Sequence, residues 1–220
     1  MQPYYDDGVV TIYHGDCRDV LPMLEEQVFD LVLTDPPYGV SYDSNRVPGR
    51  ASFRIANDGT RLSLRLYRQV LPLLRATHLC WFTRWDAWPD VWEILGQWYP
   101  VRGLLIWDKG HNGMGDLRHW GPSYELIASA GAGRIRGGRD GSVLRFPPVS
   151  NSKRRHPNEK PVELLRYLAE KLGARSLVDP FMGSGSSLAA ARQLGIRAVG
   201  IELDEPSCET AARRVCGDSG

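Results

Sequence analysis

Short apolar runs alternate along this chain with segments whose apolar residues recur every three or four positions. The runs predict strands and the spaced segments predict helices. Val9 to Tyr13, Phe29 to Thr34, Thr77 to Phe82, Val101 to Trp107, Tyr124 to Ala130, Ser176 to Asp179 and Ile196 to Ile201 read as strands. Helices are expected over Arg18 to Glu26, Arg61 to Leu74, Trp85 to Trp98, Pro161 to Leu172 and Ser184 to Leu194. A further one follows Asp204 and frays near Gly217. In the second helix Leu62, Leu66, Val70 and Leu73 or Leu74 share a face, although Pro72 strains its last turn. Pro161 falls early in its helix, where a missing N–H costs little. Strands this apolar need cover on both sides. The alternation therefore predicts an α/β chain, with a mostly parallel sheet between helical layers. Two stretches break the pattern: residues 39–60 are polar and irregular, and residues 108–116 are glycine-rich. There is no internal repeat.

A length of 220 residues with an apolar fraction of 42% fits one domain, residues 1–220, with a real core. Cys17, Cys80, Cys208 and Cys216 are scattered without metal-like spacing and are expected to be reduced. No metal site is expected. No apolar run reaches the length of a membrane span. The acidic start, Met1 to Asp7, lacks the order of a signal peptide, so a cytoplasmic protein is expected. The net charge of +1 hides an uneven distribution. From Gly131 to Arg155 the chain holds Arg134, Arg136, Arg139, Arg145, Lys153, Arg154 and Arg155 against the single acid Asp140. Such a run is the electrostatic footprint of a phosphate backbone.

Asp35-Pro36-Pro37-Tyr38 follows directly on an apolar strand. Open α/β sheets place ligands at such carboxyl ends. Two prolines remove two backbone donors and fix two φ angles, so nearby carbonyls stay out of any helix ladder. A carboxylate, outward carbonyls and an aromatic ring together suit a planar group bearing an NH₂. A second turn, Asp179 to Ser186, joins a strand to a helix, and its Gly183 and Gly185 permit close backbone approach. It is neither the three-glycine dinucleotide fingerprint nor a lysine-bearing phosphate loop. Glu202 ends the following strand, where an acid can accept from two ribose hydroxyls. Turn and acid together point to a nucleoside ligand.

Asp35-Pro36-Pro37-Tyr38, the turn Asp179 to Gly185 and the segment His156 to Pro161 resemble motifs of the DNA amino-methyltransferases. The tetrapeptide comes first and the glycine turn late, the order of the circularly permuted beta class. The likeness spans nearly the whole chain. It implies a Rossmann-like methyltransferase fold, with a mostly parallel seven-stranded sheet, one antiparallel strand and helices on both faces. It implies S-adenosylmethionine as cofactor and transfer of a methyl group to the N6 amine of adenine in duplex DNA. The N4 amine of cytosine is the alternative target, and a DNA-binding module without catalysis is the alternative class. A homodimer is a further expectation, whereas a partner nuclease is not readable.

Carried onto this chain, the resemblance implies that Phe181, Gly183 and Gly185 line the cofactor and that Asp179 shapes the turn. Glu202 would hold the ribose, Asp16 the cofactor's adenine amine, with Cys17 beside that ring. Lys160 would meet the methionine carboxylate. Asp35 and the Pro36 carbonyl would accept the substrate's N–H groups, Pro37 would stiffen the turn, and Tyr38 would stack on a base extruded from the duplex. Trp107 is either pocket wall or core. DNA contacts are expected from the loop 39–60, with Arg46, Arg50, Arg54 and Asn57, and from the segment 108–155. Within the latter, Arg134, Arg136, Arg139, Lys153, Arg154 and Arg155 are the candidates.

Overall fold

The computed structural model describes residues 1–37, 60–110, 120, 123–150 and 159–217. Tyr38, Arg46, Arg50, Arg54, Asn57, Lys153, Arg154 and Arg155 lie outside the described residues. The strands are β1 (Tyr5–Asp6), β2 (Val10–His14), β3 (Phe29–Thr34), β4 (Ala76–Thr83), β5 (Val101–Asp108), β6 (Tyr124–Gly131), β7 (Val143–Arg145), β8 (Ser176–Asp179) and β9 (Arg197–Glu202). The helices are α1 (Cys17–Val20), α2 (Thr60–Val70), α3 (Trp88–Gly96), α4 (Val162–Leu172), α5 (Ser186–Leu194) and α6 (Glu205–Cys216). Among the described residues, all the strands join one sheet in the order β1-β2-β9-β8-β3-β4-β6-β5-β7.

The expected seven strands are its centre, from β2 to β5, and there β6 alone runs against the rest. Two short edge strands were not expected. β1 pairs antiparallel with β2, and β7 pairs parallel with the end of β5. β7 was hidden because three residues inside a basic segment carry little period-two signal, with only Leu144 buried.

Burial explains the alternation along the central strands. Leu31 and Leu33 enter one core with Leu164, Leu165 and Leu168 of α4, Leu188 of α5 and Ala211 of α6. Val32, between them, enters the other core with Val20 of α1, Tyr67 and Val70 of α2 and Ile94 of α3. The sheet is thus covered on both faces, and period two divides its residues between the layers. Among the described residues, no helix is long and apolar enough to cross a membrane.

Helix ends differ from the sequence expectation where proline or glycine intervenes. The segment after α1 tightens into a 3-10 turn, Leu21–Leu24, at Pro22. α2 likewise gives way to Leu71–Leu73 at Pro72. Pro161 stands at the N-cap of α4 rather than inside it. α5 starts at Ser186 because Gly185, its N-cap, takes a left-handed φ of 75°.

Two glycines of this turn have different reasons to be glycine. At Gly185 an added Cβ would lie 2.7 Å from Cβ of Ala211, on top of its positive φ. At Gly183 φ is 51° and an added Cβ would meet nothing within 4 Å. Gly185→Ala should therefore cost about 2–4 kcal/mol, the sum of left-handed strain and overpacking against α6. Gly183→Ala should cost only about 1–2 kcal/mol, from backbone strain alone. Urea midpoints of the two variants check this order.

Candidate active site

The parallel strands β2, β9, β8 and β3 are successive neighbours, and an acid stands at the carboxyl end of each. Asp16 follows β2, Glu202 closes β9, Asp179 closes β8, and Asp35 follows β3. With about 4.8 Å between neighbours, three spacings stretch roughly 14 Å. The register brings His14 opposite Glu202, and Gly15 N–H donates to the Glu202 carbonyl at 2.9 Å. Asp16 therefore lies beside Glu202. β3 and β8 pair through Leu31 with Leu177 and Val32 with Val178. The tetrapeptide and the glycine turn, about 145 residues apart, thereby open on the same edge.

One hydrogen bond joins the two turns directly. The hydroxyl of Thr34 donates to Asp179 Oδ1 at 2.7 Å. Asp179 also accepts from the Phe181 N–H at 3.1 Å and from the Ser187 hydroxyl at 2.5 Å. Burial pushes its carboxyl up to about 6, against the pull of the Ser187 and Thr34 hydroxyls. Asp179 is thus a buried brace under both turns. Phe181 is half-buried and meets Trp81 edge-on, with centroids 6.3 Å apart.

Glu202 is locked by backbone donors. Oε2 accepts from Gly183 N–H at 2.9 Å, and Oε1 accepts from Leu203 and Asp204 N–H at 2.8 and 2.9 Å. Burial raises its pKa in spite of those donors. The Asp16 carboxylate caps α1 through Arg18 N–H at 2.9 Å, and the Arg18 guanidinium grips both its oxygens. Those bonds hold Asp16 below the usual carboxylate range. Cys17 is buried among apolar neighbours, which push its thiol up to about 12.

The catalytic end holds a cluster the sequence did not announce. Lys160 Nζ pairs with Asp35 Oδ2 and lies 3.1 Å from Glu125 Oε2. Lys109 Nζ bonds the other oxygen of Glu125 at 3.0 Å. The Lys160 side chain is only 6% exposed. Burial works to lower its pKa, but Asp35 and Glu125 outweigh burial and leave it raised. Burial likewise works against the ionised Glu125, and Lys160 and Lys109 overcome it, so its pKa is lowered. Lys160 and Glu125 are therefore each held in the charged form by their neighbours. Lys160, expected to meet a methionine carboxylate, lies against Asp35 and Glu125 among the described residues. On the other side of the turn, the Tyr67 hydroxyl donates to the Pro37 carbonyl. That fixes one peptide plane of the tetrapeptide and leaves the neighbouring Pro36 carbonyl out of this bond.

Residue 159 makes the matching link to the cofactor side. Glu159 pairs with Arg214 of α6, both side chains being under 10% exposed. Arg214 also donates to the Ser184 carbonyl at 3.0 Å and to the Ser186 hydroxyl at 2.8 Å. Two consecutive residues, Glu159 and Lys160, thus fasten the glycine turn and the catalytic turn to one segment. Sequence reasoning missed Thr34, Tyr67, Glu125, Glu159 and Arg214. Lys109 and Glu125 stand at the ends of two strands that pair, and that pairing, which brings them together, is not written in the sequence. Trp107 proves to be core, 2% exposed, with its indole N–H donating to the Phe146 carbonyl at 2.8 Å.

Arg134, Arg136 and Arg139 of the basic run do not reach this edge. β6 runs away from the site, and its last residue, Gly131, pairs with His78 near the start of β4. Arg134, Arg136 and Arg139 follow there and are exposed, and Arg136 N–H donates to the Lys171 carbonyl near the end of α4 at 2.7 Å. The six steps from Glu125 to Gly131 correspond to roughly 20 Å of strand. These three arginines therefore occupy the edge opposite the catalytic turn.

Comparison with known proteins agrees with this geometry. Residues 90–213 match the family model N6_N4_Mtase, described as DNA methylase. YubD of Escherichia coli (strain K12) is 31% identical over 198 residues, covering 87% of this chain and 83% of that protein. Among solved structures, the M1.HpyAVI–SAM complex superposes with a TM-score of 0.73 at 20% identity, covering 94% of this chain and 98% of that one. The cytosine-N4-specific PvuII DNA methyltransferase superposes with a TM-score of 0.71 at 13% identity, over 99% of this chain and 96% of that one. Over more than half its length, and with its catalytic and glycine turns side by side, the chain belongs to the N6_N4_Mtase family of DNA methylases.

Proposed function

We propose that the protein transfers a methyl group from S-adenosylmethionine to the N6 amine of adenine in duplex DNA, with the target base extruded. The observation that carries this reading is the row of strand ends, which sets a nucleoside-type site two strands from Asp35. The residues present fit the cofactor. Open space stands where a Gly183 Cβ would be, and Glu202 and Asp16 offer carboxylates at neighbouring strand ends. When bound, S-adenosylmethionine supplies an electrophilic methyl group on a sulfonium. Glu202 would hold its ribose, Asp16 its adenine amine, and the backbone of Gly183 its close approach.

The remaining work belongs to the catalytic turn. An exocyclic amine is a poor nucleophile because its lone pair is delocalised into the ring. Asp35 accepts one N–H and the Pro36 carbonyl the other, which turns the nitrogen toward tetrahedral geometry and frees the lone pair. Positive charge then grows on that nitrogen, and the ionised Asp35 stabilises it. Lys160 pairs with Asp35 and holds it in place, so Asp35 serves as an oriented acceptor. Positioning by the turns supplies much of the rate.

Aspartate at the head of the tetrapeptide supports adenine. The similarity to a cytosine-N4-specific enzyme over 99% of the chain keeps the N4 amine of cytosine as the second reading. Incubation with unmethylated phage DNA and labelled cofactor, then digestion to nucleosides and mass spectrometry, separates the outcomes. N6-methyldeoxyadenosine is expected, N4-methyldeoxycytidine establishes the second reading, and retained but unlabelled DNA would mean a binding module. Glu202→Gln should weaken S-adenosylmethionine binding about tenfold or more in calorimetry, since a charged acceptor is worth about 1.5–3 kcal/mol. Unchanged affinity would move the ribose site elsewhere.

A further inference from the structure

We infer that duplex DNA docks along the strand ends beyond Asp35, on an aromatic and basic rim formed by Arg84, Trp85, Tyr124 and Arg145. The inference rests on the DNA-methylating reading above and names the surface that reading leaves open.

Register fixes the rim. Thr34 pairs with Trp81, so Asp35 leaves β3 beside the end of β4. Arg84 and Trp85 are the first residues past β4. Thr83 pairs with Leu126, and Tyr124 begins β6 two residues earlier at the same edge. Tyr124 pairs with Asp108, which pairs on its other side with Arg145 of β7. From β3 to β7 the edge crosses four strand spacings, roughly 19 Å. That is the rise of about five to six base pairs at ~3.4 Å each.

The chemistry of the rim matches a nucleic acid. Trp85 is 70% exposed and Tyr124 42% exposed, whereas Trp81, four residues before Trp85, is fully buried. A large aromatic left in water along the edge that carries Asp35 offers a stacking surface for bases. The Arg145 side chain is 84% exposed and lies 3.4 Å from Asp108, and Arg84 pairs with Asp86. These exposed pairs are weak and screened, so phosphates can exchange for the carboxylates. Arg134, Arg136 and Arg139, at the opposite edge, are too far from an extruded base to share its duplex contacts.

The test uses the full chain and fluorescein-labelled 30-base-pair duplexes, followed by anisotropy at several salt concentrations. One duplex is fully paired; the other carries an adenine opposite an abasic site, which eases extrusion. Arg84→Ala with Arg145→Ala should lower the salt slope of log Kd by about 1.8, or ~0.9 per lost phosphate contact. Neutralising Arg134, Arg136 and Arg139 together should leave the slope unchanged. Trp85→Ala and Tyr124→Ala should each weaken binding of the abasic duplex about tenfold, within the range for a lost base–aromatic stack. A flattened slope in the triple variant with none in the double variant overturns the inference, as do aromatic variants that bind both duplexes like the parent. A parent that labels DNA while the rim variants bind normally sinks the rim alone; a parent that labels no DNA sinks the functional reading.

Discussion

Lys160→Met yields an inactive protein that is also substantially less stable. The methionine keeps the apolar stem against the Phe82 ring, over which Nζ sits at 5.2 Å, but leaves Asp35 and Glu125 without the cation they share. Removing one member of a buried ion pair costs about 3–5 kcal/mol. For a domain of this size that corresponds to a fall in Tm of roughly 10 °C. The pH dependence distinguishes this cause from simple loss of packing. In the parent, the raised Lys160 pKa contributes stability that is lost only as pH rises through it, and the lowered Glu125 pKa contributes stability that is lost as pH falls through it. Without Lys160 the two carboxylates repel in a dry setting, and the folded form takes up protons more readily than the unfolded one. Stability of the variant should then increase as pH drops from 7 toward 5, where the parent's does not. Thermal unfolding across that range reads the slope directly, and parallel curves for the two proteins would reject the charge chain.

Asp35→Asn removes methyl transfer while sparing the cofactor site. Asparagine keeps the shape of the turn, but its amide brings no negative charge to the developing ammonium. Losing one such electrostatic contact costs about 10²–10³ in kcat, and loss of the ion pair that orients the residue adds to that. We expect a fall of about a thousandfold or more, measured as labelled methyl groups in DNA. Calorimetric affinity for S-adenosylmethionine should stay within about threefold, because Glu202 and Asp16 stand at the ends of strands two and three places away. A variant as active as the parent would strip Asp35 of its role, and one that loses the cofactor would show that the two turns do not act separately.

The central sheet was legible because its strands are buried on two sides. Runs such as Leu31 to Leu33 are apolar at every position, and the helices between them keep a clear period. The strand-end acids Asp35, Asp179 and Glu202 were legible for the related reason that polar residues closing an apolar strand stand out. Lys160 was picked out by its motif, yet its partner was not. Which charged side chain meets which depends on the order of strands in space, and a neutral reading of Glu125 at the start of β6 contains nothing about Lys160. The arginine run shows the same blindness in reverse. Arg134 to Arg155 look like one patch on paper, but β6 points away from the site and β7 returns to it, so Arg134 and Arg145 end at opposite edges. Charge along a chain carries no direction; strand polarity does.

The strand order has a consequence for biosynthesis. β2 and β3 follow one another in the chain, yet β9 and β8 lie between them in the sheet. A ribosome finishing β7 has therefore exposed two strands that cannot zip together, each with an open edge on its inner side. Only when β8 and β9 emerge can a two-strand wedge slide into the slot and close both edges at once. Such late, non-local closure makes for slow maturation and sticky nascent chains. It also means that the amino-terminal part and a separately supplied α4-to-α6 piece should recombine into a working whole, each inert by itself.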